Sequence, residues 1–157
     1  MIFRSKPPIR RTGKRVEVDL SSGERELLKV LTADLRMRIA DDVDDPELRR
    51  LFPTAYHDDA ARDAEYQILA RSELVDARFG AIDITLATIG ASSLTDEELN
   101  AWMTTVNQLR LVLGTRLDIG EEEEDEVIDP GDPEGQERLI YHWLTGTLAL
   151  IIDANRL

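Results

Sequence analysis

With no cysteine, chemistry in this sequence is left to carboxylates, guanidiniums, amines, hydroxyls, two histidines and two tryptophans. A thiolate nucleophile, a Cys-ligated zinc and a thiol redox pair are therefore excluded within these 157 residues. The densest polar constellation, His57-Asp58-Asp59, offers the imidazole and carboxylates that move protons or bind a metal. Three consecutive residues do not face one another on regular structure, and the other histidine, His142, is far away in sequence. HExxH spacing, a P-loop, a Gly-rich dinucleotide turn and a G-x-S-x-G elbow do not occur. The reading is helix capping by Asp58 or Asp59 and a surface His57, with no catalytic residue, no metal site and no cofactor. Glu121 to Glu126 supplies hard oxygen ligands but neither EF-hand spacing nor its turn glycine, so weak nonspecific cation association is expected there.

Charge is segregated more than its sum of −13 reveals. Residues 1–15 hold six bases (Arg4, Lys6, Arg10, Arg11, Lys14 and Arg15) and no acid, whereas residues 118–137 hold acids and no base. Such blocks repel internally and stay solvated, which predicts a basic flexible arm over 1–15 and an acidic loop over 118–137. The domain between and around them is 16–157. No signal-peptide apolar run follows the basic start, and Leu148 to Ile152 is too short to span a bilayer. A cytoplasmic protein without membrane contact is expected.

The positioning elements follow from periodicity. Val16, Val18 and Leu20 alternate with polar residues as in a short strand. Ser21 and Glu24 form a capping box before Leu28, Leu31, Leu35 and Ile39, a helix to about Ala40. Asp45-Pro46 starts a short helix that ends before Pro53. A longer helix from Asp58 or Asp59 places Ile68, Val75, Phe79, Ile82, Leu86 and Ile89 on one face, with Gly80 inside and Gly90 near its end. Thr95 and Glu98 cap a further helix that Gly114 or Gly120 would stop, and Ile140, Leu144, Leu148 and Ile151 mark the last. The fold class is mainly α: a single-domain bundle of about four substantial helices with a short N-terminal β element.

Leu99, Trp102, Val106, Leu109, Leu113 and Leu117 recur every three or four residues, a core-facing seam. Asn107, Arg110 and Arg116 interrupt it and read as structural polar residues, with Arg110 paired to Asp83 or Asp76 of a neighbouring helix. Trp102 and Trp143 sit at core spacings, with partner anchoring as the sharper alternative. Thr85 to Arg116 can be drawn as helix-turn-helix, but Asp96, Glu97 and Glu98 would open the second helix against phosphate. Autonomous sequence-specific DNA binding is argued against on that ground.

The connector LRRLFPTAYHDD (48–59), the helix AWMTTVNQLRLVLGTRL (101–117) and the terminal YHWLTGTLALI (141–151) together resemble an actinobacterial domain-of-unknown-function family. That family includes the oxidative-stress transcription regulator AosR. The resemblance covers about Val16 to the end. It implies a cytoplasmic helical protein of stress-linked transcription, working through a stress sigma factor on cysteine-synthesis genes. It also implies redox sensing by a cysteine pair, which this sequence lacks.

The functional expectation is a non-enzymatic regulator acting through protein contacts with a sigma factor or RNA polymerase. Arg4, Lys6, Arg10, Arg11, Lys14, Arg15, Trp102 and Trp143 are the partner-binding candidates. The alternative is a structural or adaptor protein, or a homo-oligomer, with a partner outside transcription. The resemblance carries a link to Clp proteolysis for that alternative.

Overall fold

A computed structural model describes residues 6–52, 58–119 and 131–156. It is mainly α, with four long helices and a small antiparallel sheet among the described residues. Strands β1 (Ile9–Thr12) and β2 (Arg15–Val18) form a hairpin, and β3 (Ser93–Leu94) adds to the far edge of β2. Gly13 and Lys14 are the two loop residues between the paired Thr12 and Arg15. Gly13 has a φ of 65°, whereas no non-glycine in the hairpin has a positive φ, so this is the type II′ turn that matches strand twist.

The expected arm over 1–15 is therefore strand from Ile9 onward. Ile9 is buried, which pulls β1 onto the core against residue-level repulsion among the arginines. The partner calls on Arg10, Arg11 and Arg15 fall in this hairpin, whereas Arg4 and the start of the chain lie outside the described residues.

Helix α1 (Ser22–Asp41) begins in the capping box of Ser21 and Glu24 and buries Leu28, Thr32, Leu35 and Ile39. The short helix after Asp45 is one 3-10 turn, Pro46–Leu48, with the Asp45 side chain accepting from Glu47 N. Helix α2 (Ala60–Ala87) is capped by Asp59, whose carboxylate accepts from Arg62 N. Helix α3 (Asp96–Arg116) has the second capping box, Thr95 with Glu98. Helix α4 (Pro133–Asn155) starts behind Asp132 with proline at its first position. Glu134 and Glu137 are thus helical rather than part of an acidic loop, and residues 120–130 lie outside the described residues.

Gly120 lies outside the described residues, and Gly114 lies inside α3 and does not stop it. Leu117 is its C-cap and Asp118 takes the left-handed conformation at φ 54°. Ile119 N donates to Gly114 O and Asp118 N to Thr115 O, the two bonds of a Schellman motif. Gly114 serves packing instead: a Cβ there would lie 3.1 Å from the Tyr141 ring of α4. Gly80, by contrast, faces open space.

Helix α3 is the centre. It packs on α1, α2, α4, the 3-10 turn and strands β2 and β3. Leu99, Trp102 and Val106 have no exposed surface, so the seam read from sequence is the middle of the core.

Arg25 closes the structure at the sheet end. Its guanidinium donates to Leu20 O, Val18 O, Ile89 O and Ala91 O at 2.8–3.2 Å, joining β2, α1 and the segment between α2 and β3. Charge-assisted bonds to buried acceptors contribute about 1.5–3 kcal/mol, and deletion orphans the acceptors as well. Arg25→Ala is expected to destabilise the domain by about 2–4 kcal/mol, lowering the melting temperature by roughly 5–12 °C, as calorimetry would read.

At the opposite end Arg38 of α1 holds Asp45 and Glu47 around the 3-10 turn. The Asp45 carboxyl lies below its ordinary range, first because it accepts the Glu47 backbone N–H and then because of Arg38. A carboxyl depressed in the folded state contributes stability above its unfolded pKa and loses it as pH falls through the folded value. Asp45→Asn should therefore narrow the stability gap between pH 7 and pH 3 relative to the parent, measured by urea midpoints; an unchanged gap would remove Asp45 from the acid response.

Candidate functional site

The sequence candidates are mostly occupied by the fold itself. Arg10 pairs with Glu17 across the hairpin and donates to Pro7 O. Arg11 donates to Ala154 O at the C-terminal end of α4 and pairs with Asp96 in the first turn of α3 at 2.6 Å. Both contacts complement the partial charges of helix ends. Arg15 donates to Ser93 Oγ and O, fastening β3. Lys6 and Lys14 are exposed, and Arg4 lies outside the described residues. The basic stretch therefore works largely as internal stitching.

Trp102 is fully buried and donates from Nε1 to Thr88 Oγ1 at 2.7 Å, so it is a core residue with no surface for a partner. Trp143 is half-buried and donates to Glu24 Oε2 at 3.1 Å, linking α4 to the capping box of α1. That engagement, too, is internal.

Arg110 meets neither Asp83 nor Asp76. Asp83 is held by Arg36, whose guanidinium also lies 4.7 Å from the Phe79 ring centre, and that contact draws the Asp83 carboxyl below its ordinary range. Arg110 instead turns toward α4 and donates to Tyr141 Oη at 3.3 Å and Asn107 Oδ1 at 3.4 Å. Arg116 pairs with Glu137 at 3.1 Å. Arg110 and Arg116 thus reach from α3 to α4, with Asn107 bonded to Arg110 on the same helix.

Of the proton-moving constellation, His57 lies outside the described residues and Asp59 is the α2 cap. His142 is exposed, edge-on to the Tyr141 ring at 5.7 Å. No group of three or more His, Cys, Asp or Glu side chains is arranged to hold a metal ion among the described residues. No described helix is long and apolar enough to cross a membrane.

Of the exposed large apolar side chains among the described residues, Ile68 on α2 is the most exposed, ahead of Met37 and Val30 on α1, and sequence periodicity misplaced it. Ile68 reads as a core residue in the heptad with Val75 and Ile82, yet it is 81% exposed. Helix lengths explain why. At 1.5 Å per residue the 28 residues of α2 run about 42 Å, against about 30 Å for the 20 of α1 and 21 of α3.

The antiparallel registers Arg36–Asp83, between α1 and α2, and Thr85–Thr105, between α2 and α3, put the ends of α1 and α3 opposite about Arg78 and Leu74. The N-terminal part of α2 projects beyond both. Ile68 and Tyr66 both stand exposed there, two residues apart and so on different sides of the helix, with the exposed Glu65 one turn from Ile68.

Beneath this projection the segment after the 3-10 turn folds against α2. Leu51, Phe52, Tyr66, Ala70, Leu74 and two arginines line an open-mouthed cavity of about 180 Å³. Arg71 reaches from it to Asp44 at 2.6 Å. Arg78 donates to Leu51 O at 3.0 Å, and burial pushes its guanidinium below its ordinary value.

A mainly α domain with a small N-terminal sheet, centred on one buried helix, is the class these observations define. Residues 6–154 match the family model described as Domain of unknown function (DUF2017), and the chain belongs to that family. It is similar to the oxidative stress regulator AosR of Mycobacterium tuberculosis (strain ATCC 25618 / H37Rv), at 33% identity over 129 residues covering 64% of this chain and 54% of the relative. It is also similar to the putative oxidative stress regulator AosR of Mycobacterium leprae (strain TN), at 34% over 142 residues covering 80% and 64% respectively. The chain thus spans about half to two thirds of the length of these relatives. No solved structure matches it.

One interior group has no partner. Gln108 on α3 is 1% exposed and neither amide atom meets a hydrogen-bonding group. Unmet polar burial costs about 1–3 kcal/mol, and an apolar side chain of similar shape avoids it. Gln108→Leu is expected to raise the urea midpoint without changing the slope of the transition; a lowered midpoint would mean the amide is satisfied in solution.

Proposed function

We propose that this chain is a non-enzymatic regulatory domain of stress-linked transcription, acting in the cytoplasm by contact with a stress sigma factor or with RNA polymerase. Family membership and the names of the mycobacterial relatives support the regulatory part of the reading. The observation that carries the contact part is Ile68, an exposed aliphatic side chain on the projecting half of α2. Apolar anchors rimmed by polar groups are where protein interfaces concentrate their binding energy. Glu65 lies one turn from Ile68, and with the chain's charge of −13 it favours a basic partner surface and speeds its encounter.

These 157 residues contain no cysteine, so the regulation proposed does not run through a thiol pair of their own. The contact face also moves relative to the sequence expectation. The arginines at positions 10, 11 and 15 are engaged internally, which supports a contact face on α2 instead.

Ile68→Glu tests the reading because the side chain touches little of the core. The purified chain and the stress sigma factors of the same organism would be titrated by biolayer interferometry at low salt. Saturable binding is expected, weakened at least about tenfold by I68E, a loss of about 1.4 kcal/mol, with the melting temperature unchanged. No binding to any sigma factor or to RNA polymerase, or binding indifferent to I68E, would overturn the reading.

A further inference from the structure

We infer that the cavity between α2 and the segment after the 3-10 turn is a binding site for a small organic carboxylate. The inference stands apart from the partner reading, since it concerns the underside of α2 and not Ile68. Three observations carry it.

The first is charge. Arg71 already holds Asp44, but Arg78 has no carboxylate partner among the described residues and donates to Leu51 O. Its Nε is buried and unbonded. A guanidinium offers five donors in a planar fork that matches a carboxylate, and a half-buried one without an anion bears a desolvation penalty that an anion would offset. The chain's acids outnumber its bases 32 to 19, and still none of the described acids reaches this cation.

The second is shape. The cavity is about 180 Å³, and an apolar cavity of about 150 Å³ accommodates benzene. A single ring or a short branched chain fits; a nucleotide does not.

The third is the wall. Leu51, Leu74 and Ala70 supply apolar surface, and the Phe52 ring lies 6.0 Å from the Arg71 guanidinium carbon. Apolar walls with one fixed cation select an acid that carries a hydrophobic body over a fully hydrated inorganic anion. The carboxylate would sit on Arg78 and the body against Leu74 and Phe52. Such a ligand would bridge α2 to the connector and stabilise the projecting half of the helix.

Benzoate is the probe, with benzamide as its neutral isostere and inorganic phosphate as the anion without an apolar body. Backbone amide shifts of the full chain would be followed in each titration up to about 10 mM, a range that captures millimolar affinity. Benzoate is expected to shift Leu51, Phe52, Leu74 and Arg78 saturably and to raise the melting temperature, whereas benzamide and phosphate leave these amides in place. Arg78→Gln should abolish the shifts. Because Arg78 also holds Leu51 O, Ala70→Phe serves as the second variant: it fills the cavity, keeps the guanidinium and should block benzoate equally. Non-saturable shifts, equal response to benzamide, response to phosphate, or benzoate binding that survives A70F would each overturn the assignment.

Discussion

Arg25 sits where the chain has most to lose, at the meeting of the hairpin, the start of α1 and the segment that leads from α2 to β3. Its four carbonyl acceptors lie at positions 18, 20, 89 and 91, so one side chain ties the beginning of the domain to its middle. Those carbonyls belong to strand ends and links, where no regular ladder could satisfy all of them. The capping box at Ser21 and Glu24 fixes the first turn that aims Arg25, and Glu24 in turn accepts from Trp143 of α4. Sheet, α1 and α4 are thereby set before any distant apolar contact is counted.

From that end the helices run outward around α3, and their unequal lengths decide what the surface becomes. At the fixed end the partners are complete: Thr85 meets Thr105, Trp102 meets Thr88, and Arg11 spans the ends of α3 and α4. At the far end α1 and α3 stop while α2 continues, and the connector after Pro46–Leu48 takes the place of a helix beneath it. A connector packs less continuously than a helix. An open cavity and an exposed isoleucine at that end are consequences of the same shortfall in neighbours.

Helix positions were readable in the sequence because their signals are local. Both capping boxes, the proline start of the 3-10 turn and the α3 seam are encoded within a few residues, whereas the Asp132-Pro133 start of α4 was masked by the acidic run around it. The hairpin carried a signal too, the Gly13-Lys14 pair between alternating residues, but six bases nearby made the stretch read as a solvated arm. Ile68 could not be placed locally. Periodicity states which face of a helix is apolar, not how far its neighbours extend. The partners of Arg25, Arg78 and Arg110 were equally hidden, since each reaches backbone or hydroxyl acceptors rather than the carboxylates that charge pairing suggests.

This uneven construction gives the domain a gradient of stability along its long axis. Protein segments open locally with free energies that follow their buried contacts, and regulatory contacts are drawn from the weaker end because binding there can still change something. In this chain the α3-centred body holds fully buried Leu28, Trp102, Leu99 and Ile151, while α2 before Leu74 presents mainly half-buried or exposed side chains. The weaker end is also where an uncompensated guanidinium, a cavity and an exposed apolar side chain lie within about three turns of one helix, Ile68 to Arg78. The cavity inferred to take a carboxylate and the face proposed to take a partner therefore belong to one element, on different sides of it. A domain without thiols would have in this helix a means of responding to a bound molecule.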